Sequence, residues 1–449
     1  MRLDSRRHFA AAAAALALAA VAPHAARAEA APDEAVTQAA TGAASEAVSF
    51  DSIPADWALK GVVIFSRHGI RGPLIPAKCN NADPSGACMD ALASRPWPTY
   101  GVIAQNLIPD GYDRVATLGR YYRALYASEG AIAAKGCPDA SFVSDDTERT
   151  VMTAGALADG MFPGCSPPFA IEPDVYTPAG SKACPIDTRK SNRGTQRLLG
   201  GTFAQVANGD LRRPLDVMSR VLGSFKPSGC TYNGGSAPCT LSTLPASNRI
   251  QTADQPSEQF LMQYAAGMPV EEVAWGRLPA VTGQRLPDAI TEVNAIHARY
   301  FRAIFMPEYL ARRQGSQAMS VVMTALEKVH DGKQPLFVFA GHDDNILNMA
   351  GMLGLKWQLD TYQPYQVPPG GAVAFEVWDR PSGGQAVRLV YFAQTIEQMR
   401  HDTELTLASP PARAVMPVAG CRSVQGACPW ADFKAIVEAA IIPACLGQD

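Results

Sequence analysis

Two short apolar runs, each followed by a burst of polar residues, constrain the fold of this chain most strongly. The first run covers residues 61–66 (GVVIFS) and leads into RHGIRGP at 67–73. The second covers residues 335–340 (PLFVFA) and leads into GHDDN at 341–345. A short, continuous apolar run is typical of a strand that is buried on both faces. Both runs therefore predict central strands of a sheet.

Other segments predict strands that alternate with helices at both ends of the chain, around a helical middle. The pattern indicates an α/β fold, with a mostly parallel central sheet flanked by helices and a smaller inserted α-helical domain. We expect the α/β domain over 51–165 and 330–449, and the mainly helical insertion over 166–329. The further strands are expected at 141–144, 372–378 and 386–392, and helices at 112–129, 147–159, 344–353 and 430–440.

The N-terminus has the pattern of an export signal. Three arginines precede an apolar run of thirteen residues, too short to span a bilayer, and Ala26-Arg27-Ala28 has the form of a cleavage site. Residues 5–9 (SRRHF) resemble a twin-arginine signal, although an ordinary secretory peptide also fits. We expect a signal peptide over 1–28, a linker over 29–50 and a periplasmic or secreted product.

Charge excludes two classes of partner. Cleavage after Ala28 removes four basic residues and one acidic residue, which takes the formal net charge from −3 to −6. The sequence contains no long basic run, and no apolar stretch after the N-terminal one reaches membrane-spanning length either. Nucleic-acid binders need a concentrated basic face. We therefore expect neither nucleic acid nor, after signal cleavage, a membrane as partner.

The cysteines agree with export. Ten are present, an even number, and none forms a C-x-x-C pair, so disulfides are expected and a structural zinc site is not. Three pairs would close short loops: Cys79/Cys88, Cys230/Cys239 and Cys421/Cys428.

The polar bursts predict an anion site. Ligands of open α/β sheets bind outside the carboxyl ends of the strands. Arg67 and Arg71 follow the first run, and Arg149 follows the strand expected at 141–144. Guanidinium groups suit a phosphate or carboxylate dianion. In the alternative interpretation, the acidic residues at 145, 146 and 148 cap the next helix and pair with Arg149, which would weaken the anion site.

The histidines add a reaction to this site. Neighbouring cations disfavour an imidazolium, so His68 is expected to be neutral and nucleophilic. His342 can donate a hydrogen bond, and Asp343 can protonate a leaving oxygen. Together they predict phosphoryl transfer from a monoester to His68 and then hydrolysis, with no metal or cofactor. His297, on an apolar helix, is interpreted as a core or cap histidine. A phosphotransferase or mutase, and a non-catalytic anion-binding module, are the alternatives.

The motifs RHGIRGP at 67–73 and GHD at 341–343 resemble those of the histidine acid phosphatases, the larger branch of the histidine phosphatase superfamily. Further segments are similar to the bacterial periplasmic phytases and glucose-1-phosphatases. The resemblance implies His68 as the phosphorylated nucleophile and Asp343 as proton donor. It also implies that the phosphate ligands are Arg67, Arg71, Arg149 and His342.

The resemblance extends to the cysteines and the substrate pocket. It implies the disulfides Cys137–Cys165, Cys184–Cys445, Cys230–Cys239 and Cys421–Cys428, while Cys79–Cys88 follows from proximity and exclusion. Glu258 matches a family residue near the pocket, where it would shape the substrate site. Leu74 and Ile75 stand where phytases of this type carry a lysine. That departure leaves room for a sugar-phosphatase or a broad acid phosphatase beside a phytase.

Overall fold

The computed structural model describes residues 49–50, 53–73, 89–177, 180 and 182–447. The expected signal peptide, most of the linker, and Leu74, Ile75, Cys79 and Cys88 lie outside these residues. The described residues belong to one compact unit. Within it, the division into an α/β domain and an insertion at 165/166 and 329/330 stays a prediction.

The described residues contain eight strands, and all of them join one sheet. The two apolar runs form its adjacent central strands, which are buried along most of their length because helices cover both faces. The strands are β1 (Ala58–Arg67), β2 (Ala140–Ser144), β3 (Phe169–Ile171), β4 (Leu336–Gly341), β5 (Ala372–Asp379), β6 (Gln385–Ala393), β7 (Ala412–Val415) and β8 (Ala427–Pro429).

The sheet has two halves of different orientation. Its order is β3-β2-β4-β1-β5-β6-β7, and β8 pairs with β6. The strands β3, β2, β4 and β1 are parallel to their neighbours in that half. From β1 onward, the pairs β1–β5, β5–β6, β6–β7 and β6–β8 are antiparallel. The α/β fold is confirmed, but the sheet is mixed rather than mostly parallel, because β5 and β6 form a hairpin over 372–393 that needs no crossover helix.

Thirteen α-helices surround the sheet in the described part of the chain. Eight of them, α3–α10, lie between β3 and β4 in sequence. The helices are α1 (Pro109–Ser128), α2 (Glu148–Met161), α3 (Thr188–Leu199), α4 (Phe203–Asn208), α5 (Arg212–Leu222), α6 (Pro227–Tyr232), α7 (Ala246–Ala265), α8 (Arg277–Thr282), α9 (Leu286–Phe305), α10 (Glu308–His330), α11 (Asp343–Leu353), α12 (Ile396–Arg400) and α13 (Trp430–Ala440).

Alternation along β1 divides the core between the two faces of the sheet. Val62 and Ile64 belong to a cluster with apolar residues of α1 and α2. Val63 and Phe65 belong to a larger cluster that continues through α10, α11 and α13 into the helices between β3 and β4. A Cβ at Gly160 would lie 2.1 Å from the Ala116 carbonyl oxygen, so α1 and α2 pack closely only with glycine there. This contact fixes α2 against the sheet.

Two segments differ from the expected domain boundaries. β3 lies inside the range 166–329 assigned to the insertion, yet it pairs with β2 at the edge of the sheet. Its three residues are too few for a strand pattern to stand out in the sequence. Phe50 was assigned to the linker, but its carbonyl accepts a 2.7 Å hydrogen bond from Arg388, and its ring lies 3.6 Å from the Arg413 guanidinium. The packed chain therefore begins before Asp51.

Four disulfides connect described cysteines: Cys137–Cys165, Cys184–Cys445, Cys230–Cys239 and Cys421–Cys428. They coincide with the pairings that the family resemblance implies, and they are consistent with an exported protein. The link between Cys184 and Cys445 joins positions 261 residues apart, so it ties the segment before α3 to the C-terminal end. Among the described helices, none combines the length and the apolar character that a membrane crossing requires.

Candidate active site

Three parallel strands end at one edge of the sheet, and the predicted site residues follow their ends. Arg67 on β1 is in register with Gly341 on β4, and Ser144 on β2 is in register with Ala340. The turns after these strands carry His68, His342 and Asp343, and α2 begins four residues beyond β2. The shared edge expected from the sequence is therefore present.

His68 lies buried in the centre of this edge, with 3% of its surface exposed. Its Nδ1 is 2.8 Å from the Gly69 carbonyl oxygen, which can only accept, so Nδ1 carries the proton and Nε2 keeps its lone pair. Burial first, and then the charges of Arg67 and Arg149, hold the pKa of the imidazole well below its ordinary value. The ring is thus neutral, with an unprotonated Nε2 that is chemically able to attack an electrophile.

Arg67 and Arg71 share one buried carboxylate. Nη2 of Arg67 and Nη2 of Arg71 each donate to a different oxygen of Glu258, the second at 2.6 Å. All three side chains are 1% exposed. Nη1 of Arg67 also donates to the Val367 carbonyl at 2.5 Å. The Nε atoms of both arginines are buried without a hydrogen-bond partner among the described residues, so donors remain for an anion.

Arg149 reaches the site from the first turn of α2. Its Nε is also buried without a partner among the described residues, and burial, then the charge of Arg71, lowers its pKa to about 10. The expected competitors are engaged elsewhere: Glu148 accepts from the Leu107 amide at 2.8 Å, and Asp145 binds His342. Among the described residues, no ion pair joins Arg149 to Asp145, Asp146 or Glu148, so the alternative in which these acids pair with Arg149 is wrong.

His342 and Asp343 stand where β4 turns into α11. Nε2 of His342 lies 2.7 Å from Oδ2 of Asp145, which orients the ring, and the His342 and His68 ring centroids are 5.6 Å apart. Asp343 is the first residue of α11, and its Oδ2 is 3.0 Å from Nη2 of Arg67. A carboxyl at this point can exchange a proton with a group held beside Arg67.

The structure adds a buried layer beneath the arginines that sequence reasoning missed. His297 was interpreted as a core or cap residue, but its Nε2 lies 3.4 Å from Glu258 and 3.9 Å from Asp343. Its Nδ1 lies 2.8 Å from Asp254. Burial would lower the pKa of His297, but Glu258 and Asp254 raise it above its usual value. The sequence offered only a weak signal, the four-residue spacing of Asp254 and Glu258 on one helix face.

Glu258 consequently plays a structural part that differs from the one expected from its family match. Burial alone would raise the pKa of its carboxyl, but Arg67 and His297 hold it well below the usual range. The charges of Arg67 and Arg71 are therefore matched by an acid from α7. Glu258, His297 and Asp343 offer ligand atoms within 4.8 Å of one another. This donor set does not fit a metal ion, because both Glu258 oxygens already bind guanidinium groups.

The site can bind a dianion, present a neutral nucleophile to it and move a proton. Comparisons with known proteins point to the same chemistry. Residues 58–202 and 285–392 match the family model of the histidine phosphatase superfamily (branch 2). Phytase AppA of Escherichia coli (strain K12) is 31% identical over 421 residues, which cover 86% of this chain and 93% of that protein. A glucose-1-phosphatase of Providencia rettgeri is 23% identical over 408 residues, with 86% and 93% covered.

Solved structures of bacterial phytases have the same fold as this chain. Hafnia alvei phytase in complex with tartrate superposes with a TM-score of 0.75 at 25% identity, covering 88% of this chain and 100% of that one. Citrobacter braakii phytase gives a TM-score of 0.73 at 25% identity, covering 86% and 99%. The chain belongs to the histidine phosphatase superfamily (branch 2), and it is a phosphomonoester hydrolase of the histidine acid phosphatase type.

Proposed function

We propose that this enzyme hydrolyses phosphomonoesters through a covalent phosphohistidine at His68. The observation that carries the proposal is the state of that ring: it is buried, its Nδ1 proton is held by Gly69, and its Nε2 keeps its lone pair. A nucleophile beside three guanidinium groups suits a phosphoryl group, because the arginines balance the charge of its oxygens. The His342 ring, oriented by Asp145, lies beside His68 at the same edge.

In the first step, Nε2 of His68 attacks phosphorus while the ester oxygen leaves. A bond from nitrogen to phosphorus forms, the ester bond breaks, and the Asp343 carboxyl gives its proton to the departing alkoxide. In the second step, water attacks the phosphohistidine and Asp343 takes a proton from that water. The nitrogen–phosphorus bond breaks, orthophosphate leaves, and His68 returns to its neutral form.

Replacing Asp343 with Asn tests the proton transfer. We expect kcat/KM for a poor leaving group, such as glycerol 2-phosphate, to fall by about 10²–10⁴, the usual contribution of a general acid. For p-nitrophenyl phosphate, whose leaving group needs little protonation, the loss should be much smaller. Steady-state kinetics of both substrates give the comparison.

Asp344→Asn is the matched control, since the neighbouring carboxylate accepts from the Asn345 amide at 2.8 Å and has no proposed role in the reaction. Any change in kcat/KM caused by Asp344→Asn should be the same for both substrates. An equal loss for both substrates in Asp343→Asn would refute the proton-donor role and leave only an electrostatic effect through Arg67.

A second prediction concerns pH. Cations beside His68 disfavour its charged form, so removing one should raise the pKa of the ring. Arg149→Gln removes the positive charge, whereas Arg149→Lys keeps the charge and loses only the planar guanidinium group. In an NMR titration of His68 without substrate, the midpoint should move to higher pH in the Gln variant and stay low in the Lys variant. Equal midpoints in all three proteins would contradict the electrostatic origin of the neutral ring.

We also propose export to the periplasm and a substrate among the phytates and sugar phosphates. The segment 1–28 and the four disulfides support export. Similarity to both a phytase and a glucose-1-phosphatase supports the two substrate classes, and Leu74 and Ile75 weigh against the first. Hydrolysis rates for phytate, glucose 1-phosphate and aryl phosphates discriminate between them.

A further inference from the structure

A second cationic site lies at the opposite end of α11 from the catalytic residues. It is a cavity of about 520 Å³ between α3, α9, the start of α10 and the end of α11. Asp343 begins α11, and Gly351 and Gly354 near its C-terminal end line the cavity. At 1.5 Å per residue, that places the cavity about 12–17 Å along the helix from Asp343. None of the catalytic residues lines it.

We call this cavity the basic pocket and define it by its five cationic lining residues: Lys190, Arg193, Arg197, Arg302 and Lys356. Among the described residues that line it, Glu308 alone is acidic, and this glutamate lies 3.7 Å from Arg312 outside the pocket. The five cations form no ion pair with any described residue. Since the chain as a whole carries a net charge of −3, this is a local excess of positive charge.

Three of these cations lie on one face of α3. Lys190, Arg193 and Arg197 are spaced three and four residues apart, so their side chains are neighbours on the helix surface. Like charges in that arrangement destabilise a helix. The helix sequence TRKSNRGTQRLL contains no Asp or Glu. The N-cap Asp187 attracts Lys190 at the first turn, so the charges on α3 that lack an acidic neighbour on this helix are those of Arg193 and Arg197 farther along. An anion in the pocket would offset this repulsion.

Aromatic rings hold Arg302, another of the five cations, in a defined position at the pocket. The Arg302 guanidinium lies 4.1 Å from the centroid of Tyr365, and Tyr365 packs edge-on against Trp357. Nε of Arg302 is buried with no hydrogen-bond partner among the described residues. Arg302 is therefore held in place by stacking while keeping donors for a ligand. The N-cap Pro307 of α10 and the first residues of that helix, Glu308 and Tyr309, also line the pocket, which adds the positive end of a helix dipole.

From this arrangement we propose that the basic pocket binds a small polyanion carrying several phosphate groups, at a site separate from the catalytic centre. Five cations around one cavity match several linked negative charges better than a single phosphate does. Their contribution is electrostatic, so the affinity depends on the number of charges on the ligand and falls as salt rises. The inference does not depend on the proposed reaction, since binding here requires none of its steps.

The test uses inorganic tripolyphosphate as probe and isothermal titration calorimetry as readout. The parent protein is the His68→Ala variant, which keeps the catalytic arginines and should not turn the probe over. We expect two equivalents to bind. Adding Arg193→Ala and Arg197→Ala should weaken one of them by about tenfold or more, the Coulomb attraction expected from two charges across the pocket. The other should keep its affinity.

The matched control removes two exposed cations that do not line the pocket, Lys135→Ala with Arg189→Ala, and should leave both affinities unchanged. Orthophosphate is expected to bind the basic pocket more weakly than tripolyphosphate. Urea unfolding of each variant verifies that the fold is retained. The proposal would be overturned if the parent protein bound a single equivalent of tripolyphosphate, or if the pocket variant bound two equivalents with unchanged affinity. It would also be overturned if the control variant lost as much affinity as the pocket variant.

Discussion

Replacing His68 with Ala will reduce kcat for p-nitrophenyl phosphate by about four to six orders of magnitude, as loss of a covalent nucleophile does in other hydrolases. The side chain is the buried group whose Nε2 is unprotonated at this edge, and no neighbouring side chain can take its place. Arg67 and Arg71 are permanently charged, and His342 is engaged with Asp145 through its own Nε2. The steady-state rate of nitrophenol release measures the loss.

Two controls separate this loss from general damage. His401→Ala removes an exposed histidine that pairs with Glu397 on the surface and should leave kcat unchanged. Rapid acid-free quenching with labelled substrate should trap an acid-labile phosphohistidine in the native protein and none in His68→Ala. Turnover of the His68→Ala protein within tenfold of the native rate would rule out the covalent mechanism.

Replacing Glu258 with Gln will lower the free energy of unfolding by about 3–5 kcal/mol, the usual effect of removing one partner from a buried ion pair. Its carboxylate binds Arg67 and Arg71, and both guanidinium groups are 1% exposed. Gln can hydrogen-bond to only one of them through its oxygen and offsets neither charge. Urea denaturation of the native and variant proteins gives the difference.

Asp288→Asn provides the control for a carboxylate that is exposed. Both side chains of its pair with Arg285 are exposed to solvent, so this change should leave the free energy of unfolding almost unchanged. Inorganic phosphate should stabilise Glu258→Gln more than the native protein, because the anion then neutralises the arginines without competition. A loss in Glu258→Gln as small as in Asp288→Asn would show that the buried arginines do not depend on this acid.

The parts of the site that could be predicted from the sequence are those that follow a buried strand directly. Arg67, His68, His342 and Asp343 come within two residues of β1 or β4, and parallel pairing of those strands brings their ends together. Arg149 required one more step, the first turn of a helix after β2. In each case, local sequence and a general rule of sheet topology were sufficient.

The residues that were missed, or whose contacts were not foreseen, come from distant helices. Glu258 and Asp254 lie on α7, and His297 lies on α9, within a part of the chain that reads as an ordinary helical core. An apolar helix with a few polar residues has the same pattern whether those residues cap a helix or face an active site. Only the packing of α7 and α9 beneath the strand ends distinguishes the two.

The amino-acid sequence alone was sufficient to predict the fold class, the edge of the sheet at which the polar residues gather and which arginines and histidines lie there, because these depend on short-range patterns and strand order. The tertiary structure decided how the arginines are neutralised, why His68 stays uncharged and where a second group of cations gathers. Those properties depend on the distances between residues that are far apart in the chain. They also depend on burial, because charges interact more strongly where the local dielectric constant is low. Neither quantity is encoded in any single segment.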